Sequence, residues 1–288
     1  MDPIRIGCVS YLNTVPLIEG LERCEGLELV RAAPAMLAGM LERGEVDLAL
    51  ASLIDAARSS VPLAVLPVGM IGCDGPTMTV RLFSRVPFER VTRVHADTES
   101  HTSVVLCRVV LEKMFGVRAE VVDFDAREGV EVGGGRGASP ETLLLIGDKV
   151  VTCAPERGEY PHELDLGEAW KTLTGLPFVY AAWMCRAADA AKERIQLGAA
   201  LLDRARRRNT GRLDWIVEQR APEHRWPAEL ARSYLRGHMR YELGERERMA
   251  AEQFLSDAAG MGLIKRTKIT WGEMSVAGAV SAMHEVTS

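Results

Sequence analysis

Five short groups of neutral hydrogen-bonding residues stand out in this 288-residue chain. They are Ser10-Tyr11-Leu12-Asn13-Thr14, Ser52, the pair Thr77 and Thr79, Ser100-His101-Thr102-Ser103, and Gly147-Asp148. Hydroxyls, an amide and backbone N–H groups can fix a small polar ligand, and few cations accompany them. A carboxylate held there would depend on charge-assisted hydrogen bonds rather than on Lys or Arg. The Ser100–Ser103 group opens a predicted helix, where free N–H groups and the helix dipole favour an anion. Taken singly, each group also fits a capping role worth ~1 kcal/mol. Five of them at equivalent strand ends predict a ligand cleft between two lobes.

Other chemistries lack their residues. The six histidines (95, 101, 162, 224, 238 and 284) form no H-x-x-x-H pair and no cluster with cysteine, so no metal site is expected. Ser100, His101 and Asp148 contain the residue types of a hydrolytic triad. Adjacent Ser and His point in different directions, however, and no G-x-S-x-G elbow exists. The stretch "EGVEVGGGRGASP", residues 128–140, matches neither a phosphate loop nor a dinucleotide fingerprint and reads as a mobile surface excursion.

The elements that must position these groups alternate. Ile4 to Val9 reads as a strand and Val15 to Arg23 as a short helix with Pro16 in its first turn. Leu27 to Arg31 is a strand, "PAMLAGMLERGE" a helix ended by Gly44, and "VDLALA" (46–51) a further apolar strand. Such alternation predicts a parallel sheet with helices on its faces, and ligands bind beyond the carboxyl ends of such strands. A longer strand, "TMTVRLF" (77–83), leads into a second alternation. Its members are "RVTRVHAD", a helix over "SHTSVVLCRVVLEKMFG", "AEVVDF" and "TLLLIGDKVV". Another long strand, "PFVYAAWMC", precedes helices at roughly 187–208, 210–219, 227–241 and 245–261. The expected fold is α/β and two-lobed with a double hinge. Residues 1–84 and 181–288 make one lobe, residues 85–180 the other, and the helical C-terminal third packs on the first.

Composition narrows the partners. With 47% hydrophobic and 26% charged residues the chain is ordinary for a soluble globular protein. A net charge of −5 with interspersed signs recruits no nucleic acid. The basic run Arg204 to Arg208, broken only by Ala205, falls late in a predicted helix and complements its dipole. The six cysteines (8, 24, 73, 107, 153 and 185) include no C-x-x-C pair. No secretory leader and no apolar run of ~18 residues is present, so a cytoplasmic protein without membrane contact is expected. Oligomeric state is not legible.

The segments "VSYLNTVPL", "SHTSVVLCRVVL", "LLIGDKV" and "DLGEAWKTLTGLPFVYAAW" resemble, in order over residues 4–185, the menaquinone-biosynthesis family of chorismate dehydratases of the futalosine pathway. The resemblance implies a fold like that of type II periplasmic binding proteins. It also implies a reaction: removal of the C3 hydrogen and C4 hydroxyl of chorismate as water, giving 3-[(1-carboxyvinyl)oxy]benzoate. Aromatisation drives that elimination, so no cofactor and no metal are implied. Asn13, Ser103 and Asp148 become the catalytic candidates. Ser10, Tyr11, Thr14, Ser52, Thr79, Ser100, His101, Thr102 and Gly147 become the substrate-binding ones. His101 departs from the family's pattern between its hydroxyl neighbours. A sibling family, the 1,4-dihydroxy-6-naphthoate synthases, shares the fold but opens with a Pro- and Cys-containing motif in place of Ser-Tyr-Leu-Asn. A non-catalytic protein that binds or senses a small carboxylate is the alternative from another class, since fold alone does not fix function.

Overall fold

The computed structural model describes residues 2–97, 99–125, 130–131, 139–156 and 158–274. The expectation for 128–140 therefore falls largely outside the described residues. Thirteen strands are described: β1 Ile4–Cys8, β2 Leu27–Arg31, β3 Leu48–Ser52, β4 Leu63–Cys73, β5 Val80–Ser84, β6 Arg93–Asp97, β7 Glu120–Asp125, β8 Val130–Glu131, β9 Thr142–Ile146, β10 His162–Asp165, β11 Phe178–Arg186, β12 Met239–Arg240 and β13 Thr270–Trp271.

They form two sheets. The first runs β12-β4-β11-β3-β1-β2, with β13 on β4; the second runs β10-β5-β9-β6-β7-β8. β1, β2 and β3 are mutually parallel, and β11 enters antiparallel between β3 and β4. The second sheet repeats this plan: β6, β7 and β9 are parallel, and β5 enters antiparallel between β9 and β10. By this correspondence β1 matches β6 and β3 matches β9. The residues following these four strands are Tyr11 and Asn13, Ser100 and Ser103, Leu53 and Ile54, and Gly147 and Asp148. The two lobes thus present the same two strand ends of the same topology.

Burial explains the strands. β3 is buried along its whole length and β4 at all but Pro67, the near-continuous apolar pattern of strands covered on both faces. The 77–83 strand, counted above with the first lobe, pairs with β9 and β10 in the second sheet instead. The long first-sheet strand ahead of it is β4, which the sequence pattern did not separate from its surroundings. The chain therefore changes sheets between Cys73 and Val80 and returns between Asp165 and Phe178.

One carboxylate ties these two passages together. Asp165 accepts from the N–H groups of Thr77 (2.9 Å) and Met78 (2.7 Å) on the outward passage. It also caps the helix Leu166–Thr174 on the return, accepting from Gly167 (2.9 Å) and Glu168 (3.1 Å). Met78 sits in the left-handed region at φ 67°, a cost that these backbone bonds offset.

The helix Glu193–Thr210 packs on β4 and on the short helix Val15–Ile18. The helix Glu245–Gly260 lies against β11 and also reaches the second lobe, where Lys113 pairs with Asp257 at 2.6 Å. The helix expected over 227–241 is shorter than its pattern suggests. It runs Ala228–Ser233, widens into a π turn at Tyr234–His238, and yields to β12, whose backbone pairs with Cys73 and Gly72.

Candidate active site

A cavity lies between the sheets, at the carboxyl ends of β1, β3 and β9. After β1 the chain tightens into a 3-10 turn, Leu12–Thr14, and then the Pro16-primed helix Val15–Ile18. Leu12 is fully buried and anchors the turn, which leaves Tyr11 and Asn13 facing the cavity. Ser52 ends β3 on the same wall.

The opposite wall is the N-terminus of the helix His101–Phe115. Ser100 caps it, its Oγ accepting from Ser103 N at 3.3 Å and lying 3.0 Å from Ser103 Oγ. Both hydroxyls face the cavity. Gly147, beyond β9, adopts φ 61°, and a Cβ there would stand 3.0 Å from the Tyr11 ring. Glycine is what lets this ring cover the strand end.

The passage between sheets and the C-terminal third complete the lining. Thr77 is buried beside the cavity, and Thr79 is joined through its hydroxyl to Tyr234 at 2.8 Å. Tyr234 also accepts from Asn13 Nδ2 at 3.0 Å and stacks on Trp226 with ring centroids 4.9 Å apart. Burial pushes the Tyr234 hydroxyl well above the ordinary phenol range, so it stays a neutral donor and acceptor. Among the described residues, no Lys or Arg lines this cavity.

The candidate residues from the sequence divide into two sets. Asn13, Tyr11, Ser52, Thr79, Ser100, Ser103 and Gly147 line the cavity. Five others do not. Ser10 is exposed to solvent. Thr14 is fully buried, its hydroxyl 3.4 Å from Asn13 Oδ1. Thr102, also fully buried, accepts from Ile54 N of the first lobe at 3.2 Å. His101 Nδ1 meets Asp55 of the first lobe at 2.8 and 3.1 Å. Asp148 Oδ2 lies 3.3 Å from Leu12 N and 3.2 Å from His224 Nδ1, so it too spans the lobes. Strand-end polarity thus served two purposes, lining the cavity and joining its walls.

Tyr180 and Tyr234 line the cavity as well and were not foreseen. Tyr180 sits inside the apolar run of β11 and Tyr234 inside a helical pattern, so neither carries a strand-end signal. The Tyr11 hydroxyl donates to Glu99, which also pairs at 3.1 Å with Lys149. Lys149 is buried and pairs with Asp97 at 2.5 Å, so the second lobe carries its cation away from the cavity lining. Among the described residues no helix is long and apolar enough to cross a membrane.

The chain is 32% identical over 276 residues to a chorismate dehydratase of Thermus thermophilus, covering 91% of this chain and 97% of that one. Among solved structures, a Candida albicans gene product described as having the generic periplasmic binding protein fold superposes with a TM-score of 0.65 at 11% identity, covering 98% of this chain and 95% of that one. The periplasmic aliphatic sulphonate binding protein of Escherichia coli does so with a TM-score of 0.59 at 15% identity, covering 94% of this chain and 96% of that one. These likenesses establish a periplasmic-binding-protein-like fold. A family profile described as menaquinone biosynthesis matches residues 4–260, and the chain belongs to that family.

Proposed function

We propose that this protein is a chorismate dehydratase, a cytoplasmic hydro-lyase that converts chorismate to 3-[(1-carboxyvinyl)oxy]benzoate. The observation that carries this reading is a cavity of neutral donors between two walls, in a chain 32% identical to a chorismate dehydratase along 91% of its length. Chorismate is a dianion with one carboxylate on the ring and one on the enolpyruvyl ether, and such a site holds carboxylates without an electrophile that would attack the enol ether. The hydroxyls of Ser100 and Ser103, at the N-terminus of their helix, suit one carboxylate. Asn13, with Tyr11 and Ser52 beside it, faces the ring and its leaving hydroxyl.

In the elimination the C3–H bond breaks, its electron pair becomes a ring double bond, and the C4–O bond releases hydroxide. Hydroxide and the abstracted proton leave as water, so no oxidant or reductant enters. Among the described residues the lining offers hydroxyls and an amide but no carboxylate or imidazole. The enolpyruvyl carboxylate of the substrate, one ether oxygen from C3, is then the base, and the protein holds it in the reactive conformer. Positioning of this kind is worth several kcal/mol.

Incubation of the purified protein with chorismate, followed by chromatography and mass spectrometry, tests the reading. The expected outcome is stoichiometric loss of chorismate and gain of the aromatic ether. Saturable binding of chorismate without turnover would instead make this a binding protein of the same fold.

A further inference from the structure

Contacts that bridge the lobes beside the cavity include Tyr11 to Glu99, Ile54 N to Thr102, Leu12 N and His224 to Asp148, and Asp55 to His101. The last pairs an imidazole with a deeply buried carboxylate, so its strength depends on a proton. Asp55 opens the short helix Asp55–Arg58 that follows β3, and it is 4% exposed. A carboxylate so buried needs a compensating donor. His101, the first residue of the helix His101–Phe115 on the other lobe, supplies it at 2.8 and 3.1 Å to the two carboxylate oxygens. Two residues along the same helix is Ser103, which lines the cavity.

We propose that His101 and Asp55 form a proton-dependent latch that holds the two cavity walls at substrate-binding distance, His101 being a positioning residue. When the lobes part, Asp55 loses its donor and the helix end carrying Ser100 and Ser103 moves away from Asn13. When they close, the imidazolium–carboxylate pair forms and the walls meet one ligand together. The hydrogen bond to Asp55 raises the His101 pKa above its ordinary value; burial and Arg58 act in the opposite direction. Arg108, on the helix of His101, acts on Arg58 in turn. The sign follows from the raised value. The latch is fully formed below the ordinary histidine pKa and weakens as pH rises through the closed-state value.

The test compares wild type with His101→Gln, His101→Lys and Asp55→Asn, measuring KM and kcat for chorismate across neutral to alkaline pH. A thermal melt of each variant checks folding. The turnover part rests on the dehydratase reading. Titration with the aromatic ether, followed by small-angle scattering, reads closure without turnover, so failure of the reading and failure of the latch are distinguishable. Wild-type KM should rise with pH, by ~10-fold for loss of one charge-assisted hydrogen bond. His101→Gln should show that higher KM at every pH with kcat little changed. His101→Lys, whose charge persists, should keep a low KM where that of wild type has risen. Asp55→Asn should flatten the profile as His101→Gln does. Identical KM–pH profiles in wild type and His101→Lys would overturn the proposal, as would an unchanged KM in folded His101→Gln. If His101→Gln does not fold, the His101→Lys profile decides.

Discussion

The Asn13 amide donates to the Tyr234 hydroxyl at 3.0 Å, joining the first strand end to the π turn of the C-terminal third. The same phenol oxygen lies 2.8 Å from Thr79 Oγ1, so it is held from two sides. Asn13 Oδ1 faces the Thr14 hydroxyl at 3.4 Å. The amide orientation is thereby set, and one of its two N–H bonds remains for the cavity. π turns recur at functional sites, and this one places Tyr234 at the cavity while His238 Nδ1 meets Pro76 O at 3.0 Å.

Asn13→Asp puts an anion where the proposed dianionic substrate would lie and removes the free N–H. The expected result is a loss of at least ~10²-fold in kcat/KM, the scale of removing one aimed donor. Steady-state kinetics on a variant with native circular dichroism checks it. If Asn13 served only the 3-10 turn, the variant would lose ~1 kcal/mol of stability and keep its activity.

Tyr234→Phe keeps the stack on Trp226 but leaves Asn13 Nδ2 and Thr79 Oγ1 short of a buried partner. A stability loss of about 1–3 kcal/mol is expected, together with lower kcat from a less constrained amide. A double-mutant cycle with Asn13→Ala isolates the second effect. Once Asn13 is gone, Tyr234→Phe should cost little further activity, a coupling of about 0.5–3 kcal/mol. Additive losses would mean that Tyr234 acts on the substrate independently of Asn13.

The sequence carried the fold and half of the site for one reason: strand ends in a parallel sheet are where polar residues gather. That rule picks out Asn13, Ser52, Ser100, Ser103 and Gly147, all on the lining. It equally picks out Thr102, His101 and Asp148, because a residue joining two lobes is also a polar group at a strand end. Only their distances to Ile54, Asp55 and Leu12 separate the two uses. Tyr234 escaped because its helical spacing looks like core, and the widening of that helix into a π turn has no residue signature in "YLRGH". β4 escaped because an apolar run of this kind shows no alternation from which to read its limits.

Ser100 and Ser103 separate binding from capping. Ser103→Ala leaves the cap acceptor in place and removes a cavity hydroxyl. KM should rise by an amount equivalent to ~0.5–2 kcal/mol, with the melting temperature almost unchanged. Ser100→Ala removes the acceptor for Ser103 N as well, so it should add a stability loss of ~1 kcal/mol. Equal melting temperatures for the two variants would show that the cap contributes nothing.

Gly147→Ala tests the seat of Tyr11. The backbone at φ 61° disfavours any Cβ by about 1–2 kcal/mol, and this one would press on the Tyr11 ring at 3.0 Å. Tyr11 must then shift from its place between the lobes, weakening its bond to Glu99. Expected are a lower melting temperature and a raised KM. Tyr11→Leu should bring out the separation: with a smaller side chain over the strand end, Gly147→Ala should retain only its backbone cost.

Asp148 is the carboxylate nearest in sequence to the cavity, and its geometry argues against its taking the C3 proton. Its Oδ2 is engaged by Leu12 N at 3.3 Å and by His224 at 3.2 Å. Its Oδ1 is buried without a partner, and the residue does not contribute to the lining. A general base must come within hydrogen-bond reach of the proton it removes, and its loss costs ~10²–10⁴-fold. Asp148→Asn keeps the shape and one acceptor for Leu12 N while abolishing basicity. Dehydration should persist with a loss smaller than that range, its larger effect falling on KM through the weaker link between lobes. A loss of full general-base size in kcat, with substrate affinity unchanged and activity restored by an added small base, would return the proton to Asp148 and remove the substrate's own carboxylate from that role.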